Sequence, residues 1–194
     1  MIGMPKMSLR ESVKADFRAY AHALGIRGPI LFQNARILFG SRAFYPLLVH
    51  RLHARMRGIC TGRLSFLQFP LAVIYQVARF LLVVFCKISI LESARISPGV
   101  FLSNQGNIVL GARSVGPGGV IAENVTVGVG LQGVQPVLGA NVTIGPGSVV
   151  FGAIEIGDDV VIEGNTILCK NIPGGFWVGG NPPRILRKRV GENG

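Results

Sequence analysis

The chain has 194 residues, of which 49 % are hydrophobic, and it carries a formal net charge of +11. Its length suffices for one or two domains with a sizeable core, and its mean hydropathy of +0.47 is high for a soluble protein. Its three cysteines, Cys60, Cys86 and Cys169, lack the spacing of a metal or redox site, which favours reduced thiols in a cytoplasmic protein. Residues 1–10 lack a long apolar run, so no signal peptide is expected.

The excess positive charge lies in the N-terminal half of the chain. Residues 1–88 contain thirteen Lys and Arg against two acidic residues, whereas residues 89–194 contain seven of each sign. Such an excess predicts an anionic neighbour, which could be a membrane surface, a nucleic acid or a phosphorylated substrate. Nucleic acid is the least favoured of the three, because no reading motif is recognisable and the C-terminal half is neutral.

The N-terminal half is predicted to be helical. Ser8 and Glu11 form a capping-box pattern at the start of an amphipathic helix that ends at Gly25. A second helical stretch covers residues 28–59, and Gly40 and Ser41 interrupt it. We also expect a kink at Pro46.

Two parts of this half are candidates for contact with a membrane. Residues 47–57 are apolar on one side and basic on the other, which fits a helix on a membrane surface and equally a helix packed on its own domain. Residues 66–90 are the most apolar part of the chain. Segment 70–86, which contains Gln76 and Arg79, is short for a transmembrane span, and the arginine would be costly in lipid. A buried helix that leads into the next domain is therefore predicted, and a membrane contact stays open.

A period of six residues organises the chain from position 90 to position 168. Every sixth residue is Ile, Leu or Val, with one extra residue before Val115 and a Gly-rich loop at 128–137. No helix or simple strand has this period, whereas each flat side of a parallel β-helix does. With three sides to a turn, thirteen repeat positions predict about four stacked turns. These positions are Ile90, Ile96, Leu102, Ile108, Val115, Ile121, Val127, Leu138, Ile144, Val150, Ile156, Ile162 and Leu168.

The predicted fold is of the α+β class, with an N-terminal helical region followed by a β-helix. Residues 1–88 form the basic helical domain, residues 89–172 form the hexapeptide-repeat β-helix with its loop at 128–137, and residues 173–194 form a C-terminal segment with a basic tail.

The repeat, together with Lys170, Ile172-Pro173 and the segment 180–185 (GNPPRI), resembles the serine acetyltransferase family of left-handed β-helix acyltransferases. The helical lead-in resembles a branch of that family that acts in exopolysaccharide and capsule biosynthesis, such as the colanic acid acetyltransferases. The resemblance implies a left-handed coil and a homotrimer or dimer of trimers. It also implies that acetyl-CoA binds as co-substrate in the groove between neighbouring subunits, with no metal.

The resemblance assigns contacts with acetyl-CoA to the C-terminal turns of the coil. Small residues there would let the pantetheine arm lie along the coil, and basic residues would meet its phosphates. The glycines can equally serve the corner geometry of the coil. The residues in question are Gly145, Ser148, Gly164, Asn165, Lys170, Asn181 and Arg184.

The catalytic histidines of the family have no counterpart in this sequence. The two His positions correspond to Asn104 and Gln135, and the Asp that orients the first His corresponds to Ser89. The Arg associated with the serine carboxylate corresponds to Val134. Neither amide can act as a base at neutral pH, and the three His residues of the chain all lie within residues 1–88.

Glu123 is the nearest candidate for a substitute base. Leu102 and Ile121 are three repeats apart and should stack in adjacent turns, which places Asn104 and Glu123 at one corner. The carboxylate of Glu123 could equally be an exposed corner residue without a role in catalysis.

We therefore expect an acetyl-CoA-dependent O-acetyltransferase acting on a sugar or a lipid-linked glycan intermediate in polysaccharide biosynthesis. It would work in the cytoplasm, with peripheral contact to the inner face of the membrane. The alternative is a catalytically inactive, trimeric scaffold or regulatory partner in such a pathway.

Overall fold

A computed structural model describes residues 8–59, 68–130 and 133–188 of the chain. Four helices come first: α1 (Leu9–Ala23), α2 (Ile30–Gly40), α3 (Phe44–Ile59) and α4 (Gln68–Cys86). Short strands then follow one another to the end of the described region. They are β1 (Ile88–Ile90), β2 (Arg95–Ile96), β3 (Phe101–Leu102), β4 (Ile108–Leu110), β5 (Ser114–Val115), β6 (Val120–Ile121), β7 (Thr126–Gly128), β8 (Val137–Leu138), β9 (Thr143–Ile144), β10 (Val149–Phe151), β11 (Glu155–Ile156), β12 (Val161–Ile162), β13 (Ile167–Leu168), β14 (Phe176–Gly179) and β15 (Arg184–Lys188).

The strands form three parallel sheets that wrap around one interior. Sheet A has the order β1-β4-β7-β10-β13, sheet B has β2-β5-β8-β11, and sheet C has β3-β6-β9-β12-β14 with β15 added antiparallel at its end. Each turn of the coil contributes one strand to each sheet, so consecutive turns pair side by side. The predicted helical region followed by a left-handed parallel β-helix is therefore confirmed.

All thirteen repeat positions are buried in the interior of the coil, as predicted. The number of turns is five rather than four, because the coil continues beyond residue 172: Ile172 bridges to Ile156, and Val178 pairs with Ile162. The spacing shortens to four residues between Leu168 and Ile172, and Pro173 and Gly174 follow. This irregular last turn hides the repeat in the sequence.

The register in the second turn also differs from the prediction. Leu110, and not Ile108, is in register with Ile90 before it and Val127 after it. Both Ile108 and Leu110 point inward at the two ends of the three-residue strand β4, so the pattern of hydrophobic residues alone allows either choice.

The helices begin and end close to where the sequence predicts. The capping box is present: Glu11 N donates to Ser8 Oγ (3.2 Å), and Ser8 N donates to Glu11 Oε2 (2.8 Å). The helical stretch breaks after Gly40, as expected. Pro46 is the third residue of α3 and lies in its first turn. Backbone N–H groups there have no partner within the helix, so proline breaks no hydrogen bond and the predicted kink has no cause.

Side chains from α1 and α3 cover the open edge of the first turn of the coil. His50 Nε2 donates to Ala94 O (2.9 Å), and Arg51 donates to Ile96 O (3.1 Å) and Ser97 O (2.9 Å). From α1, Asp16 Oδ1 accepts from Gly99 N (2.8 Å), and Tyr20 Oη accepts from Leu102 N (3.4 Å). These contacts replace the strands that a preceding turn would supply.

A buried ion pair joins the two helices at this edge. Arg51 Nε lies 2.6 Å from Asp16 Oδ2, and Arg51 Nη2 lies 2.9 Å from Asp16 Oδ1. Burial raises the pKa of Asp16, whereas the guanidinium of Arg51 and the N–H of Gly99 oppose that rise. His50 and Arg51, on the basic side of segment 47–57, thus point toward the coil. Their contacts favour the interpretation of this segment as a helix packed on its own domain.

Helix α4 packs along only one narrow face, so the prediction of a buried helix is wrong. On that face Tyr75 stacks on His53 with ring centroids 3.6 Å apart, and Arg79 Nη1 lies 3.6 Å from Glu92 Oε1. Only 11 % of the window Phe69–Cys86 is buried, although its mean hydropathy is 2.0. By length and composition this helix could cross a membrane.

Candidate functional site

One corner of the coil runs through all five turns and carries most of the predicted site residues. The strands of sheet C stack in register through Leu102, Ile121, Ile144, Ile162 and Val178. The residues that follow these strands therefore form a column, here called the CA corner, where the chain leaves sheet C, toward sheet A in the first four turns and toward β15 in the last. It contains Asn104, Glu123, Gly145, Gly164, Asn165 and Asn181.

Asn104 is held by the connection between α2 and α3. Its Oδ1 accepts from Ala43 N (3.2 Å) and its Nδ2 donates to Ser41 Oγ (3.2 Å), while Arg42 Nε donates to its backbone oxygen (2.8 Å). The amide at this position therefore anchors the start of α3 to the first turn of the coil. An amide does not take up a proton at neutral pH. The side chain of Asn104 can therefore orient a group by hydrogen bonding but cannot act as a base.

Glu123 lies one turn further along the same corner, as predicted from the spacing of Leu102 and Ile121. Ser103 Oγ donates to Glu123 Oε2 (3.2 Å), and the side chain of Glu123 is half-buried. One oxygen of the carboxylate is thus held by a hydrogen bond, and the half-buried side chain is partly open to the outside of the coil. The sequence did not single out Ser103, which the coil stacks directly beneath Ala122.

Gln135 lies on a different corner, where the chain passes from sheet A to sheet B. Its Nε2 donates to Ser93 Oγ (3.1 Å), which precedes β2 in the first turn. Val134 beside it is exposed in the loop between β7 and β8, of which residues 131–132 lie outside the described residues. Asn104 and Gln135 of one chain therefore cannot face the same ligand.

The small residues predicted to contact acetyl-CoA occupy the tightest part of the CA corner. A Cβ on Gly145 would lie 2.5 Å from Gly164 N, so neither residue could be larger without moving the backbone. Asn165 has a φ of 56°, in the left-handed region, and its side chain lies against Gly147. Corner geometry alone explains these glycines, and the smooth surface that they leave could also accommodate an extended ligand.

Ser148 has to be corrected as a contact residue. It is 0 % exposed, its Oγ donates to Glu163 O (2.8 Å), and the same oxygen accepts from Thr166 N (3.2 Å). The side chain therefore serves the interior of the coil and does not reach a ligand outside it.

The polar and basic residues of the last turn are exposed. Lys170 follows β13 on the same corner as Gln135, and Arg184 begins β15. Asn181 lies in the turn between β14 and β15, at a cis peptide bond to Pro182. Arg187, which the sequence did not single out, lies over the ring of Trp177 at 3.8 Å.

A cleft of about 310 Å³ lies between α1, α3 and β2, and Leu9, Arg51 and Arg95 are part of its wall. Within the described residues, no three His, Cys, Asp or Glu side chains come together as metal ligands. A site built on the CA corner would need a second surface to close it.

Comparisons with known proteins identify the family. No family model matches the chain. The serine acetyltransferase of Helicobacter pylori strain 26695 is 32 % identical over 150 residues, which covers 73 % of this chain and 77 % of the relative. That of Buchnera aphidicola is 29 % identical over 199 residues, covering 96 % and 68 %.

Solved structures agree on the fold. The serine acetyltransferase of Brucella abortus in complex with coenzyme A superposes with a TM-score of 0.74 at 20 % identity, over 93 % of this chain and 68 % of that one. Together with the identity to the Helicobacter enzyme, this shows that the chain belongs to the serine acetyltransferase family of β-helix acetyltransferases.

Proposed function

We propose that this protein is an O-acetyltransferase that moves the acetyl group of acetyl-CoA to a hydroxyl group of a carbohydrate. The observation that carries the proposal is the position of Glu123. Its half-buried carboxylate lies on the same corner column as the small residues proposed to contact acetyl-CoA. The family supports acetyl transfer, and the coenzyme A complex of the Brucella relative supports the donor.

The donor site is proposed to lie between two subunits of a trimer. In one chain, Asn104 and Glu123 lie on the CA corner, whereas Gln135 and Lys170 lie on the corner between sheets A and B. A three-fold assembly that sets one corner against the other would bring both sets to one groove. Arg184 and Lys170 would then meet the phosphates of acetyl-CoA.

Glu123 is proposed to act as the general base. It accepts the proton of the acceptor hydroxyl while that oxygen attacks the thioester carbonyl carbon. The new C–O bond forms, the C–S bond breaks, and the proton passes from Glu123 to the leaving thiolate, so that the products are the acetyl ester and coenzyme A. The hydrogen bond from Ser103 would hold the carboxylate toward the acceptor.

The acceptor is proposed to be a sugar hydroxyl rather than serine, although serine is the acceptor in the names of the relatives. The sequence resemblance assigns the position of the family's serine-carboxylate contact to Val134, which is an exposed apolar residue. A neutral sugar hydroxyl brings no carboxylate that needs a cation. Arg42, exposed beside Asn104, could contact a phosphate if the sugar is linked to a nucleotide or lipid carrier.

Thiol release from acetyl-CoA tests this proposal, measured with L-serine, free sugars, nucleotide sugars and lipid-linked glycans as acceptors. We expect turnover with a sugar and little with serine. Glu123→Gln should lower kcat by about 10²–10⁴-fold with a similar KM for acetyl-CoA, because general base catalysis is worth that much. Glu155→Gln, an exposed carboxylate in sheet B, is the control and should keep full activity. Full turnover in Glu123→Gln, or preference for serine, would contradict the proposal.

A second candidate function is a trimeric scaffold without catalysis. The structural hydrogen bonds of Asn104 favour it, since the sequence resemblance assigns the position of the first family His to this amide. Calorimetric titration with acetyl-CoA separates the two. Binding without thiol release for any acceptor points to the scaffold, and absence of binding removes the donor site from both.

A further inference from the structure

The outward face of α4 is a large apolar surface on a basic domain. Its most exposed large residues are Phe69 (79 % exposed), Phe85 (71 %), Phe80 (68 %), Ile74, Val77 and Val84. Soluble monomers rarely expose contiguous apolar patches above a few hundred Å², and larger ones mark contacts with proteins or membranes. We refer to these six side chains as the α4 face.

The α4 face is wider than a single partner helix would need. At about 100° per residue, the six side chains cover roughly 160° of the helix circumference. The stripe that packs a helix against a protein core is about 100° wide, and α4 already uses the opposite side to pack on α3 and β1. An apolar medium would cover so broad an arc, whereas one packed element would leave part of it in water.

The charges around α4 match an anionic surface. Residues 1–88 carry thirteen basic and two acidic residues, and one of the two, Asp16, is paired with Arg51 in the interior. Lys87 is exposed directly after α4, and Arg42 is close enough to Cys86 to oppose the effect of burial on the pKa of that thiol. Cations beside the end of an apolar helix favour anionic headgroups around it.

The other side of α4 argues against a transmembrane span. Tyr75 stacks on His53, Arg79 lies 3.6 Å from Glu92 of the first turn, and the chain enters β1 within two residues of Cys86. These contacts lie along the middle and the end of the helix. Lipid could not surround α4 without breaking them and burying the charge of Arg79.

We propose that α4 lies in the plane of an anionic lipid bilayer, with the α4 face in the acyl-chain boundary and Lys87 and Arg42 at the headgroups. An in-plane helix of this kind buries its apolar face about 5–10 Å deep. Because Arg42 also donates to Asn104 O, the start of the CA corner would lie near the bilayer surface. This last consequence rests on the proposed function, whereas the docking of α4 does not.

Vesicle co-sedimentation of the full chain tests the docking. We expect strong binding to vesicles of equal parts phosphatidylcholine and phosphatidylglycerol, and weaker binding to phosphatidylcholine alone. The double variant Phe80→Ser, Phe85→Ser should bind at least about tenfold more weakly, because each Phe loses its apolar burial. The matched control, Val109→Ser with Phe151→Ser, removes two partly exposed apolar side chains from sheet A of the coil and should bind like the wild type.

A charge variant keeps the test independent of any folding defect in the first one. Lys87→Gln leaves the α4 face intact and should weaken binding to the anionic vesicles about fivefold, with little change on phosphatidylcholine. Circular dichroism melts should coincide for all variants, and thiol release with a soluble acceptor should be unaffected by the Phe substitutions.

The competing occupant of the α4 face is a second copy of the chain, and sedimentation velocity distinguishes it. If the wild type fails to bind either vesicle, the proposal is overturned. It is also overturned if the Phe substitutions lower the oligomer mass without changing vesicle binding, because the α4 face is then a subunit contact. Vesicle binding that the Phe variant loses at unchanged oligomer mass supports it.

Discussion

The coil (β1–β15) and the N-terminal helices (α1–α4, here called the cap) are stabilised in different ways. In the coil, each strand pairs with the turns before and after it, the repeat positions fill the interior, and basic and acidic residues balance. In the cap, a small cluster around Tyr20, Ile37, Phe44 and Leu47 is buried, while α2 and α4 expose large apolar side chains and the net charge is positive. The coil is thus specified by a local rule repeated many times. The cap depends on a few long-range contacts with the first turn, so single substitutions at those contacts should have larger consequences.

The largest expected effect is at the ion pair between cap and coil. Arg51→Ala leaves the carboxylate of Asp16 buried without its partner and removes two hydrogen bonds to the first turn, which should cost about 3–5 kcal/mol in the free energy of unfolding. Denaturant unfolding at fixed protein concentration measures it. Arg18→Ala, an exposed cation on α1, should change stability by less than about 0.5 kcal/mol. Equal effects of the two substitutions would show that the cap does not depend on this pair.

The next largest loss of stability is expected for a substitution in the interior of the coil. Ile144 is fully buried in the third turn, and Ile144→Ala should cost about 2–5 kcal/mol through lost burial and the cavity that remains. Phe80→Ala on the α4 face should change the free energy of unfolding in aqueous buffer by less than about 0.5 kcal/mol, although it removes a larger side chain. Thermal and denaturant melts of both variants make the comparison. A large loss at Phe80 would mean that another protein surface covers it.

Close stacking at the CA corner should give a smaller effect. Gly145→Ala places a Cβ 2.5 Å from Gly164 N, and the overpacking should cost about 1–3 kcal/mol. Gly40→Ala, where a Cβ would meet nothing within 4 Å, is the control and should be neutral or slightly stabilising. The affinity of Gly145→Ala for acetyl-CoA, measured in the same preparation, shows whether the smooth corner also serves the donor. Unchanged stability would show that adjacent turns can separate at little cost.

The smallest effect is expected at the start of the cap. Ser8→Ala removes the capping box of α1 and should cost about 0.5–2 kcal/mol. Ser8→Asp keeps an acceptor for the N–H of Glu11 and should recover most of the loss. The helical signal at 222 nm and the denaturation midpoint measure both. If Ser8→Ala is neutral, packing alone fixes the start of α1.

The sequence predicts the coil well because its signal is local. The period of six shows directly which residues face inward, and it correctly stacks Leu102 on Ile121 and hence places Asn104 beside Glu123. The rule fails where the spacing changes, at Leu110 and in the turn formed by Ile172 and Val178.

The cap and the polar contacts of the site are harder to predict from sequence. The partners of Asn104 are Ser41 and Ala43, more than 60 positions away, and no local pattern connects them. Ser148 fits the spacing of a donor contact, yet the hydroxyl completes the hydrogen bonding of the interior. The exposure of α4 could not be predicted either, since an apolar sequence is compatible with a protein core and with lipid.

The side chains that cover the first turn have a consequence for how copies of this protein meet one another. A stack of parallel strands ends in unpaired N–H and C=O groups, which can pair with the end of another stack and extend it into a fibre. His50, Arg51, Asp16 and Tyr20 occupy those groups at the N-terminal end, and β15 runs antiparallel along sheet C at the other. The helices thus block extension of the coil at its N-terminal end, and loss of the α1–α3 contacts would expose a template for end-to-end growth.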